Sequence, residues 1–213
     1  MAGTFTKIPT KTFDNLQTGV GVVLKDFTPS KPELVDGDII CATTGGISIS
    51  CVPTFSDMGE DIDNCPNGML ELMNIDGYDC KMSFTSLGVT EDTIKLALGA
   101  ADVKDGAIIP RRTLDSSDFS SIWWVGDKKN GGTVAVHLKM ALSTSGFSLQ
   151  TTKSGKGQLA IELTGHTSIY NQDVVPMEIY VSDTPTATTQ SVDGGETLPT
   201  EPTEEPTEEP TEE

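Results

Sequence analysis

The feature that most restricts this chain is a two-residue alternation of apolar and polar side chains, repeated along much of its length. Between residues 133 and 142, Val134, Val136, Leu138, Met140 and Leu142 share one face, while Thr133, Ala135, His137, Lys139 and Ala141 share the other. Successive side chains of a strand point to opposite faces, so this period marks strands with one buried side. The same pattern runs through residues 47–51, 80–85, 159–164 and 177–181. A Gly45-Gly46 pair flanked by β-patterned residues predicts a hairpin turn, with residues 38–43 pairing on 47–54. Gly131-Gly132 predicts a second return, and residues 153–157 join two further strands, 146–152 and 158–166.

One helix interrupts the strands. Thr90 suits its N-cap, Glu91 and Asp92 suit the positive end of its dipole, and Gly99 suits its end. Val89 and Ile94 have the spacing of a hydrophobic staple, and Ile94, Ala97 and Leu98 predict one apolar stripe. The expected fold is mainly β, a sandwich or half-barrel with one flanking α-helix, in a domain covering residues 1–183.

Charge separates the remaining residues, 184–213, from that domain. The chain carries 32 acidic and 14 basic side chains, a net charge of -18. Nine of the carboxylates lie beyond Asp183, where there is no Lys or Arg, so the domain itself carries -9. Three Pro-Thr-Glu-Glu repeats close the chain. Such a composition cannot bury enough apolar area to offset chain entropy, which predicts a disordered acidic tail. The acidity also excludes an ordinary nucleic-acid binder and a protein held on anionic lipid by charge. With no apolar run of the ~20 residues a membrane helix needs, and no secretory core of ~7–15, folding in the cytosol is expected.

Catalytic patterns are missing. The sequence contains no GxSxG, GxxxxGK[ST], strand-to-helix GxGxxG or HExxH motif. His137, mid-strand beside Lys139, and His166, at a strand end, read as ordinary solvated or interface side chains. Cys41, Cys51, Cys65 and Cys80 form no CxxC pair and read as four reduced structural thiols, so neither metal nor cofactor is expected. Asp57, Glu60, Asp61 and Asp63 form a solvated acidic loop without a calcium-loop pattern. Trp123 and Trp124 must point to opposite faces, either because one meets another subunit or because the strand is covered on both sides. Arg111 and Arg112 can pair with the 57–63 loop of a neighbouring subunit or with carboxylates of their own chain.

The order of these pieces resembles a known family. An opening strand near residues 19–24 leads to ATTGGISISCVPTFSDMGEDIDN with its acidic loop and to the alternating region 69–87. The helix TEDTIKLALG, the stretch WWVGDKKNGG and the late strands follow. This layout, over roughly residues 10–182, resembles the major tail (tail tube) protein of long-tailed phages infecting Gram-positive bacteria. The resemblance implies a structural virion protein, made in the host bacterial cytoplasm, that self-assembles into hexameric rings stacked as a tube. DNA transits the lumen without specific binding. The implied partners are further copies of the chain, a tape-measure protein and tail terminator and baseplate proteins. Residues 56–67, with Asp57, Glu60, Asp61 and Asp63, correspond to an inter-ring loop, and residues 2–17 to an arm in subunit contacts. Arg111, Arg112, Trp123 and Trp124 are candidate subunit contacts, and Ser48, Ser50, Ser83 and Thr85 candidate lumen-facing residues.

Two other classes compete. An exported adhesion or carbohydrate-binding β-module could use the PTEE repeats as a stalk. A hydrolase could carry an unrecognised site built on His137 or His166.

Overall fold

The computed structural model describes residues 8–183; the expected acidic tail, 184–213, lies outside them. The described chain is mainly β with one α-helix and antiparallel sheets. The strands are β1 (Gln17–Leu24), β2 (Thr43–Asp57) and β3 (Met73–Ser86), followed by α1 (Glu91–Leu98) and the short pair β4 (Ala101–Lys104) and β5 (Ala107–Pro110). Then come β6 (Ser120–Lys128), β7 (Thr133–Ser143), β8 (Ser148–Gln150), β9 (Gln158–Gly165) and β10 (Met177–Ser182). Eight strands make one sheet along the path β1-β6-β7-β9-β3-β2, with β10 added on β7 and β8 on β9.

That sheet folds into two layers because β7 changes partner halfway along. Residues Thr133 to Leu138 pair with β10, and Ala141 to Ser143 pair with β9. Between them lies a bulge, where three residues of β7 advance against two of β6. Met140 adopts φ 48° and its side chain turns outward, 40% exposed. The alternation read from the sequence therefore slips: Ala141, expected on the polar face, joins the core beside Leu138. Bulges of this kind let one strand serve two layers. At one end the layers meet, since Lys25 N–H donates to Asp38 O (2.8 Å) and Ile40 N–H to Val23 O (3.0 Å), tying the approach to β2 onto β1.

The core lies on one face of these strands. Val23, Met82, Phe84, Ile122, Leu138, Leu159, Ile161 and Leu163 are buried there, and α1 covers it with Ala97 and Leu96. Thr90 caps α1 by accepting from the Thr93 N–H, and Gly99 ends it at φ 78°. The buried stripe differs from expectation. Thr93 and Ala97 are buried while Ile94 and Leu98 are half-buried, because the Thr93 hydroxyl is drawn in to bond the Thr90 and Gly88 carbonyls. A second cluster of Leu24, Phe27, Trp123 and Ala135 covers the opposite face of β1, β6 and β7.

Two turns correct the sequence reading. Gly45 and Gly46 are not a hairpin turn but a bulge inside continuous β2: Thr44 faces Thr85, Ile47 faces Phe84, and both glycines take positive φ. Their missing Cβ atoms would point into open space, so β3 continues past them as the pairing strand. The region that carries Arg111 and Arg112 is preceded by a hairpin the alternation does not signal, β5 paired to β4 across Asp105-Gly106. Both of those turn residues have positive φ, as a two-residue hairpin requires. Gly131 does make the predicted return, donating to Lys128 O between β6 and β7.

Candidate functional site

Beyond Cys51 and Cys80, β2 and β3 leave the body and run on together as an arm. Their ladder continues from Val52 opposite Asp79 to Asp57 opposite Met73. Apart from the packing of Leu72 and Cys65 around Gly59 at the tip, the arm's large apolar side chains stay open to solvent in the described chain. Val52, Phe55, Met58, Ile62, Leu70 and Ile75 are all more than 45% exposed, Leu70 at 85%. Isolated exposed apolar residues are ordinary, but a run of them on one projection marks an interaction surface. The sequence reading missed these residues. The mark of Met58, Ile62 and Leu70 is visible in MGEDIDNCPNGMLELM, where apolar residues occur without a period that would bury them.

The four acidic residues of this loop have different roles. The Asp57 carboxylate accepts from Gly59 N–H (2.8 Å) and Gly68 N–H (2.7 Å), and these two bonds hold it below the usual carboxylate range. It organises the arm's tip. Glu60, Asp61 and Asp63 are exposed. Among the described residues no group of His, Cys, Asp or Glu is arranged to hold a metal ion.

Ser48, Ser50, Ser83 and Thr85 come together on one outward face. Ser48 faces Ser83, which faces Glu162, and Thr44 faces Thr85. Thr44, Ser48, Ser83, Thr85 and Ser145 line an open depression of about 430 Å³, and Ser50 lies outside it, opposite Lys81. The other face of the same strands is core, with Met82, Phe84, Ile161 and Leu163 buried. The result is a hydroxyl-rich wall with one carboxylate.

The tryptophans and Arg111 all find partners within the chain. Trp123 is 6% exposed, stacked on His137 at 4.0 Å and tilted against Phe27 and Tyr180. Trp124 donates from Nε1 to Val20 O (2.9 Å) and passes over Gly21 and Gly126, where a Cβ would collide with it. Trp123 is thus covered within the chain, while Trp124 is half-buried. Arg111 is 17% exposed and reaches Asp102 (2.8 Å), Asp115 (2.6 Å) and Asp118 (2.6 Å), so it is not free for the 57–63 loop of a neighbour. Arg112 is exposed. Residues 14–16 run along the β6–β7 turn, where Lys129 N–H donates to Leu16 O and Asn130 N–H to Asp14 O.

The structure also assembles a group that the sequence kept apart. Ser121 Oγ lies 2.6 Å from His137 Nε2, and His137 Nδ1 lies 3.6 Å from Glu178 Oε2. Three adjacent strands, β6, β7 and β10, bring them together. Lys139 and the Tyr180 hydroxyl bond the Glu178 carboxylate and hold it below its ordinary range. Burial pushes the His137 imidazole down, against the opposing pull of Glu178. Ser121 also lines a depression of about 380 Å³ between α1 and β6. His166 has a different setting, edge-on to Phe119 with Nδ1 3.4 Å from Met140 O. No described helix is long and apolar enough to cross a membrane. The sequence matches no known protein-family model and no curated protein.

Proposed function

We propose that this protein is a non-catalytic, self-assembling subunit of a phage tail tube, closing into rings, hexameric by family resemblance, that stack around a channel for DNA. The observation that carries the reading is the uncovered arm. A monomer with six large apolar side chains on one projection is an aggregation liability, whereas an assembly buries them. Sheet edges support the same conclusion. β2 ends the sheet path and β10 pairs β7 alone, leaving edges along which a neighbour's strand can add. Ile179 and Val181 on β10 are each 63% exposed. The 430 Å³ hydroxyl wall and the domain's net negative charge suit a channel past which DNA slides without holding. In this reading Glu60, Asp61 and Asp63 face the next ring, Ser48, Ser50, Ser83 and Thr85 face the lumen, and Arg112 is left for contacts between subunits. A tape-measure protein fills the lumen, terminator and baseplate proteins cap the tube, and the virion tail is the location.

Electron microscopy of the purified full-length chain at high concentration tests this. Rings or tubes are expected; a strictly monomeric, featureless particle would sink it.

Ser121 and His137 favour a second reading, acyl transfer at Ser121. Its nucleophile–base distance is right for proton transfer, but the 3.6 Å gap to Glu178 exceeds a hydrogen bond. A broad esterase and glycosidase screen decides: turnover abolished by His137→Gln would replace the structural reading.

A further inference from the structure

Cys51 and Cys80 face each other across β2 and β3, with their Sγ atoms 2.9 Å apart. Facing residues of an antiparallel pair hold their Cα atoms about 4.5 or 5.5 Å apart, inside the span of about 4.4–6.8 Å that a disulfide bridges. Both cysteines are free thiols in this structure. Neither Cys41 nor Cys65 faces another cysteine across the ladder. The geometry points to a reversible cross-strand disulfide between Cys51 and Cys80, formed by exchange with a small-molecule disulfide, that staples the arm at its root.

The two thiols differ in access, which orders the chemistry. Cys80 is 0% exposed, whereas Cys51 is half-buried and reaches solvent. Burial first, and then the adjoining Cys51 thiol, push the Cys80 thiol up to about 12, so it stays protonated at neutral pH and attacks second. Cys51, as thiolate, attacks one sulfur of oxidised glutathione, forming a mixed disulfide and releasing one glutathione thiolate. The Cys80 sulfur then attacks the Cys51 sulfur, breaking the mixed bond and releasing the second glutathione. The protons lost by the two cysteines end on the two glutathione thiols. The protein is oxidised by two electrons and the small disulfide is reduced by two.

The position gives the bond a consequence. Cys80 belongs to the core cluster and Cys51 packs against it, and the next pair outward, Val52 and Asp79, begins the uncovered arm. A bond there closes the whole arm into a loop and pins the register of β2 on β3, where outer residues lack the one-sided burial that otherwise specifies it. None of this depends on ring formation.

The purified full-length chain is incubated with oxidised glutathione, acid-quenched, alkylated with iodoacetamide and mapped by mass spectrometry. A Cys51–Cys80 linked peptide is expected, with Cys41 and Cys65 alkylated. Tm should rise by roughly 5–10 °C, reversibly with dithiothreitol, and C51S should show no rise. In C80S the glutathione adduct should persist on Cys51. Because Cys80 lies in the core, C51S carries the test if C80S does not fold. A link through Cys41 or Cys65, a persistent adduct on wild-type Cys51, or an unlinked chain would overturn the assignment.

Discussion

The body and the arm share two strands, β2 and β3, and differ in what lies over them. On the inner half of β3, Cys80, Met82, Phe84 and Ser86 are buried in strict alternation. On its outer half Met73, Ile75 and Tyr78 are 41%, 47% and 38% exposed. Inside, β9 extends the sheet from Lys81 to Ser86 and α1 roofs it. Outside, the ladder continues through a register shift between Thr54 and Phe55, but no second layer reaches it. Backbone pairing alone therefore makes a strand; a covering layer makes it contribute to stability. Burying one large apolar side chain gains about 1.5–3 kcal/mol. Six on the arm leave on the order of 10 kcal/mol unrealised, comparable with the rigid-body cost of association.

Equivalent truncations in the two regions test this contrast most strongly. Leu138→Ala, at a fully buried site on β7, should lose about 3 kcal/mol by urea denaturation. Ile75→Ala on the arm should lose less than about 0.5 kcal/mol in the dissociated chain. Equal losses would mean that the arm is covered by its own chain, and the comparison would fail. In the assembly the arm should become costly. The double variant Phe55→Ser, Leu70→Asp should leave the dissociated chain's urea midpoint in place. It should also weaken each contact by about 2 kcal/mol or more, raising the assembly threshold roughly thirtyfold by sedimentation.

Sequence legibility follows the same division. Strands with one covered face were readable because burial imposes a period, as on β9 and the inner half of β3. The helix was readable from Thr90 and Gly99, which act locally. The face change on β7 was not, because Met140 is an ordinary residue and its left-handed conformation follows from the partner switch between β10 and β9. The Gly45-Gly46 pair misled for a related reason. Positive φ serves a bulge as well as a turn, and the choice depends on β3, far along the chain. The His137 group was hidden because Ser121 and Glu178 meet it only through registers on both sides of β7. Of the candidate site residues, the four hydroxyls were legible as one face, while the partners of Arg111 were set by the unforeseen β4–β5 hairpin.

A smaller test separates crowding from backbone strain. Gly21 has φ 78°, and a Cβ there would lie 2.5 Å from Val125 O and 2.6 Å from Trp124 Nε1. Gly45 on β2 has φ 77° with open space around it. Gly21→Ala should lose about 2 kcal/mol, from strain plus overpacking, and Gly45→Ala about 1 kcal/mol, from strain alone. Thermal denaturation of the two variants compares them. Equal losses would show that the Trp124 indole yields to the added methyl.

The smallest expected effect is in pH, and it should divide the regions by where each begins to respond. His137 belongs to the body, with its side chain 15% exposed. Burial holds its folded pKa below the ordinary 6.5, with Lys139 adding to the depression and Glu178 and Asp26 opposing it. The unfolded chain therefore takes up a proton that the folded chain refuses. Stability from this site is fully present above pH 6.5 and falls as pH drops toward the folded value. Glu178, depressed chiefly by its Lys139 bond, contributes above its ordinary 4.5 and loses that contribution below it. His137→Gln should remove the upper window and keep the lower, a change smaller than those above because Glu178 and Asp26 offset part of the effect of burial. The described arm holds no histidine, and its Asp57, lowered by two backbone bonds from an ordinary 3.8, keeps the tip ordered until pH falls below that value. Amide exchange at Gly59 and Gly68 should stay protected between pH 7 and pH 5 while the body's Tm declines. Loss of that protection near pH 6 would show that the arm's order depends on the body, and that the two regions are one cooperative unit.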